Sequence, residues 1–223
     1  MIIEIRGGNI MNNSTGCFTV TDWNKVKGAI RLQVTSNTED TKHVLCKKYA
    51  DLYVIPYFQL PSEGNKRTVK ITTKTCEYFD ISEDTIFKTA LENMLSETKL
   101  LTDADILNEL LTNTPCLTNY MKDGLPDKFI FLTLTNESHE NAAAAIFCSE
   151  VQVRLSELFP EGYYILPSSI HEFLIYPHIG CTVKNLLDVV REVNSTAVSP
   201  KDYLSGNVYC FDKDGNFCIA CLH

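Results

Sequence analysis

Two apolar, β-prone blocks, "YYIL" and "EFLIYP", flank the hexapeptide "PSSIHE" between residues 163 and 177. Blocks of four to six residues suit strands and are too short for helices. Pro167 has no N–H to give to a ladder, and the hydroxyls of Ser168 and Ser169 can bond nearby backbone in its place. The stretch therefore predicts two neighbouring strands joined by a turn, with Ile170 and Leu174 facing the core and His171 on the opposite side. A second hairpin is predicted in "NVYCFDKDGNFCIACL" (207–222), around Asp214-Gly215. Local hairpins of this kind commit the chain to antiparallel pairing.

Elsewhere the apolar period is helical. In "ISEDTIFKTALENMLSE" (81–97), Ser82 is a plausible N-cap, and Ile86, Phe87, Ala90, Leu91 and Met94 share one face. "DADILNELLTN" (103–113) repeats the pattern with Ile106, Leu107, Leu110 and Leu111. "SEVQVRLSELF" (149–159) and "CTVKNLLDVVREVN" (181–194) add two more helices, the last with Thr182 as cap. "AIRLQVTS", "DLYVIPYFQL", "TVKITTK" (68–74) and "KFIFLTLTN" (128–136) read as strands, Pro56 demoting the second of them to an edge or a bulge. "AAAAIFCS" (142–149) reads as an antiparallel partner of "KFIFLTLTN", although its alanines also suit a helix. Mixed blocks with hairpins predict an α+β fold, a largely antiparallel sheet with three or four packed helices. Residues 1–67 form a β-rich N-terminal segment and 68–223 an α+β domain, or the two make one continuous domain.

Composition narrows the function classes. The 223 residues carry a formal charge of −8, and no Lys/Arg run exceeds two residues, which argues against general nucleic-acid binding. No apolar run approaches a membrane span, and "MIIEIRGGNIMNN" lacks the layout of a signal peptide. The nine cysteines are therefore expected to be reduced thiols, mostly in the core, of a cytoplasmic protein.

Ser168, Ser169, His171 and Glu172 are the residue types of a hydrolytic site. In an extended chain, however, Ser169 and His171 stand about 6–7 Å apart, beyond the reach of a nucleophile and its base. No G-x-S-x-G elbow is present, so a structural turn is the expected role. Cys210, Cys218, Cys221 and His223 could make a tetrahedral zinc site. A two-residue loop puts Cys210 and Cys218 on opposite faces; a three-residue loop with a bulge at Gly215 or Asn216 puts them on one. Zinc is expected to be absent, as is any other cofactor. "DKDGN" lacks calcium-loop spacing, and "RGGN" (6–9) is no phosphate loop. His139 is expected to be solvated, His43 and His178 isolated, and Asp103, Asp105 and Glu109 to serve a helix dipole.

"YYILPSSIHEFLIYP" and "LLDVVREVNSTAVSPKDYLSGNVYCFD" resemble a bacterial family catalogued as a domain of unknown function, whose members carry L-P-S-S-x-H-E and V-R-E-V-N-x-T segments. The matching residues are Leu166 to Glu172 and Val190 to Asp212, and looser likeness extends over roughly 68–215. Cys210 stands where an aromatic residue is expected, so the resemblance lends nothing to zinc. It implies a soluble intracellular protein of Gram-positive anaerobes, sometimes carried on mobile elements, and brings no catalytic residue. The leading expectation is a non-enzymatic partner-binding protein, such as a phage or mobile-element factor. The alternatives are a serine hydrolase using Ser168 or Ser169 with His171, and a module that binds or sequesters a small molecule. A concave pocket beside the turn is the observation that bears most on the choice.

Overall fold

The computed structural model describes residues 22–60 and 67–221, together with the backbone of a short antiparallel pair, β1 (Ile2–Glu4) and β2 (Cys17–Thr19). "RGGN", most of "PSEGNKR" and His223 lie outside the described residues. The α+β class read from the sequence is the observed one, with two larger sheets, both antiparallel.

The first of these sheets has β5 (Leu52–Leu60) at its centre. Strand β3 (Ile30–Thr35) pairs along one side of it; β4 (Lys47–Tyr49) and β6 (Arg67–Lys70) follow each other along the other. Pro56 therefore marks neither an edge nor a bulge. Its carbonyl accepts the Ile71 N–H at 2.9 Å, so its backbone faces the junction between β4 and β6, where no ladder donor is required. Leu32, directly opposite Pro56, turns its N–H outward to Met94 Sδ at 3.3 Å.

Met94 belongs to α3 (Glu83–Leu95), which begins at the predicted cap: Ser82 Oγ accepts the Thr85 N–H. On the same helix, Asn93 Nδ2 donates to Lys27 O and Ile30 O at 2.7 and 3.0 Å. The helix thus covers the open edge of β3, which would otherwise offer unpaired backbone groups to another chain. Two short helices, α1 (Trp23–Val26) and α2 (Thr73–Phe79), flank this sheet. The second of them replaces the end of the strand expected at 68–74.

The other sheet has the order β12-β11-β9-β10-β8-β7. Its strands are β7 (Thr98–Thr102), β8 (Leu132–Asn136), β9 (Tyr163–Ser169), β10 (Glu172–Pro177), β11 (Tyr209–Phe211) and β12 (Phe217–Ile219). Three longer helices attach to it: α4 (Asp103–Thr112), α5 (Ser149–Leu158) and α6 (Val183–Thr196). The partner of β8 is not "AAAAIFCS". Residues 142–147 form a 3-10 turn that is buried throughout. Four alanines leave the chain slim enough to pass through the interior, where a strand of larger residues would not fit.

Both faces of the longer sheet are covered. Phe173 and Ile175 join a large cluster that also holds Ile30, Leu52, Leu100 and Ile165. Leu166, Val183, Leu186, Val190, Val208 and Ala220 form a smaller cluster beneath α6, and Leu174 packs against it. The expected split at β10 is thus redrawn, because neither face of the central hairpin is left to solvent. Among the eight described cysteines only Cys148 is buried, and all eight are unpaired. Cys76, Cys181 and Cys210 are half-buried against the two clusters, Cys116 and Cys218 are half-buried, and Cys46 and Cys221 are exposed, so fewer thiols lie in the core than expected. Among the described residues, no helix is long and apolar enough to cross a membrane.

Candidate functional site

The β9–β10 hairpin forms where the two apolar blocks predict it. Glu172 pairs with Ser169 but Phe173 pairs with Pro167, so Ser168 is the extra residue of a β-bulge. The bulge follows from Pro167, which interrupts the regular ladder. Ser168 Oγ–H donates to Glu172 Oε1 at 3.0 Å, and Ser169 Oγ accepts the His171 N–H at 3.0 Å. The four residues singled out in the sequence are therefore together, but each serine is engaged within the turn. Neither hydroxyl is bonded to the imidazole.

The His171 ring points elsewhere. Its Nδ1 accepts the Asn141 N–H at 3.2 Å, and its Nε2 lies 3.4 Å from Asp202 Oδ1. An accepting Nδ1 carries no proton, so the proton sits on Nε2 and faces the Asp202 carboxylate. Backbone bonds reinforce both contacts: Ala142 N–H to His171 O and Ile170 N–H to Asp202 O, each 2.9 Å. His171 thus fastens the 136–142 loop on one side and the segment after α6 on the other. Asp202 lies in the second of the two sequence blocks that carry the family resemblance, so the blocks meet in space. Asn194 adds a further tie within that second block, Nδ2 donating to Ser205 O at 2.9 Å.

Beside this latch lies a cleft of about 1000 Å³, with one wall from β3, β5 and β6 and the other from β7, β8 and the 136–142 loop. His171 lines it; Ser168, Ser169 and Glu172 do not. The Tyr57 hydroxyl is bonded to the Asn141 side chain, and burial pushes its pKa above the ordinary tyrosine value. The Asn136 carboxamide oxygen gathers the N–H groups of Ser138 and Glu140, which stiffens the loop wall. At the mouth, Arg31 forks onto both carboxylate oxygens of Glu97. Lys99 Nζ reaches Cys116 O at 3.2 Å and the Glu137 carboxylate at 3.6 Å. The lining is polar and of mixed sign, and sequence reasoning did not find it, because its residues come from five strands, α3 and several connections spread over residues 31–171.

His139 is not simply solvated. Its Nε2 lies 3.1 Å from Glu109 Oε2, and its Nδ1 is 3.3 Å from Thr135 Oγ1. Glu109 also takes the Cys116 N–H, and Asp103 takes the Ile130 N–H at 2.8 Å, so both tie loops down. Asp103 and Asp105 lie in the first turn of α4 as expected, but Glu109 lies in its last turn and does not serve the helix start. His178 packs against Tyr164 with ring centroids 4.1 Å apart and the rings tilted by 43°, and it sits over Gly162. A Cβ at Gly162 would lie 2.6 Å from His178 Nδ1, and its φ of +92° favours glycine in any case.

At the C-terminal hairpin, the Asp212 N–H bonds Asn216 O and the Gly215 N–H bonds Asp212 O, with Gly215 at φ +78°. This is the longer of the two loops considered, with its bulge at glycine. Cys210 accordingly opposes Cys218 on one face, their sulfurs 3.6 Å apart. Cys221 is exposed. Among the described residues, no group of three or more His, Cys, Asp or Glu is arranged to hold a metal ion.

The chain matches a family of unknown function, DUF5688, over residues 1–213, and it belongs to that family. The match begins at the first residue and so takes in the N-terminal sixty, where the sequence reading found no likeness. No curated protein and no solved structure matches it.

Proposed function

We propose that this protein is a non-enzymatic binding protein whose site is the cleft between the two sheets, and that its ligand is a small, polar, uncharged or zwitterionic molecule. The observation that carries the reading is a cleft of about 1000 Å³ beside the His171 latch. That volume lies at the upper end of small-molecule sites, about 300–1,000 Å³. Cations and carboxylates alternate at its mouth, so a ligand bearing one sign of charge finds no matching field. The cytoplasmic placement belongs to this reading and is supported by the eight unpaired cysteines. Ser168 and Ser169 do not line the cleft and neither is bonded to the imidazole, which favours the turn's structural role over the hydrolase reading.

Native mass spectrometry of protein purified from cells should show a retained small molecule. Thermal-shift screening against polar metabolites should give a stabiliser whose effect is lost in Tyr57→Phe and Lys99→Ala. No retained mass, together with no stabiliser, would refute the cleft reading.

A second reading, a protein partner, rests on α4. Its apolar residues were expected to face inward, yet Leu107 is 56% exposed and Leu110 and Leu111 are each 77% exposed, with Leu117 nearby in sequence at 99%. Exposed apolar side chains gathered in this way mark interaction surfaces, and a net charge of −8 suits a basic rim on the partner. The phage or mobile-element association rests on the family resemblance alone.

A further inference from the structure

We propose that Cys210 and Cys218 are a dithiol that a low-molecular-weight disulfide converts into a cross-strand disulfide, locking the C-terminal hairpin. The two residues are directly opposed on β11 and β12. Opposed residues of an antiparallel ladder have Cα atoms about 4.5–5.5 Å apart, inside the roughly 4.4–6.8 Å that a disulfide spans. Their sulfurs are already 3.6 Å apart, so side-chain rotation can close the bond without moving the backbone. The loop with its bulge at Gly215 is what makes this possible, because a two-residue loop would have separated the thiols across the sheet.

The chemistry follows from the environments. Strand β12 is the edge of the sheet, so Cys218 meets a reagent first. Burial, followed by contact with Cys218, pushes the Cys210 thiol up to about 12. As a thiolate, Cys218 attacks one sulfur of the reagent disulfide and expels one reagent thiolate. Cys210, deprotonated, then attacks the Cys218 sulfur and expels the second. Two protein thiols are oxidised, one reagent disulfide is reduced to two thiols, and the two protons pass to the reagent sulfurs. Burial, which outlasts the first step, disfavours the Cys210 thiolate, so the second step speeds up as pH rises.

The test uses the full-length protein and oxidised glutathione over a range of pH, with free thiols blocked before digestion. Trypsin cuts after Lys213, which separates Cys210 in residues 202–213 from Cys218 and Cys221 in residues 214–223. The expected product is two hydrogens lighter, joins these two peptides through Cys210 and Cys218, and forms faster as pH rises. It reverts with dithiothreitol. Cys221→Ser should leave it unchanged and Cys218→Ser should remove it. A stable glutathione adduct on Cys218, a bond mapped to Cys221, or loss of closure in Cys221→Ser would each overturn the proposal.

Discussion

His171 connects two segments through a single ring. Asn141 N–H enters Nδ1 and Asp202 lies at Nε2, so truncation releases both the cleft wall and the segment after α6. His171→Ala should lower stability by about 0.5–3 kcal/mol, the common range for a single substitution, as measured by urea denaturation. Ligand retention should fall only in step with that loss. Unchanged stability with abolished binding would instead make the turn a working part of the site. Comparable economy appears at Tyr209. It is fully buried, and its hydroxyl donates to Asp51 Oδ1 at 2.8 Å and accepts from the Ser205 hydroxyl at 2.6 Å. Asn207 Nδ2 completes the Asp51 carboxylate at 2.9 Å. A buried carboxylate or hydroxyl without such partners costs far more than the bonds return.

At the scale of elements, none of the residues of α4 is fully buried, and the helix is held by polar ties at its N-terminus and by Glu109 in its last turn. Thr102 and Asp105 form a capping box at the N-terminus, Thr102 Oγ1–H donating to Asp105 Oδ2 at 2.6 Å. Burial pushes the Asp105 carboxyl up, but bonds from Thr102, Cys116 and Tyr120 outweigh it and hold the pKa below the usual aspartate value. A depressed folded pKa means that the unfolded chain takes up the proton first. The associated stability is present above about pH 4 and is lost as pH falls through the folded value. Thr102→Val should therefore lower the melting temperature at pH 7, and the gap to the parent protein should narrow as the buffer is taken toward pH 3. A gap that stays constant would show that the carboxylate contributes nothing.

For the whole molecule, the first sheet and the second share one apolar cluster in which Ile30 and Leu52 pack with Leu100 and Ile165. The Tyr209–Asp51 bond joins the chain's last third to the turn before β5. A fragment restricted to residues 68–223 would expose the Leu100 and Ile165 side of that cluster and leave Tyr209 without Asp51. It should be poorly dispersed by NMR and should bind hydrophobic dyes. A well-folded fragment would establish residues 1–67 as a separate unit.

Hairpins, caps and long amphipathic helices depend on residues close together in the chain, so they are legible from sequence alone. The β9–β10 hairpin, the Ser82 and Thr182 caps and the α+β class belong here. Ser169 taking the His171 N–H belongs here too, whereas Ser168 bonds the Glu172 carboxylate and not the backbone expected of it. Other features depend on what comes alongside. Pro56 sits in a central strand because two short partners meet opposite it, and "AAAAIF" is a buried turn because the interior there admits only small side chains. The apolar face of α4 reads inward from its period yet lies exposed, because periodicity says that a stripe exists and not what covers it. The cleft, and the partners of His171, assemble groups thirty or more residues apart. No window along the chain contains them, and only the packing of one sheet against the other brings them to a common surface.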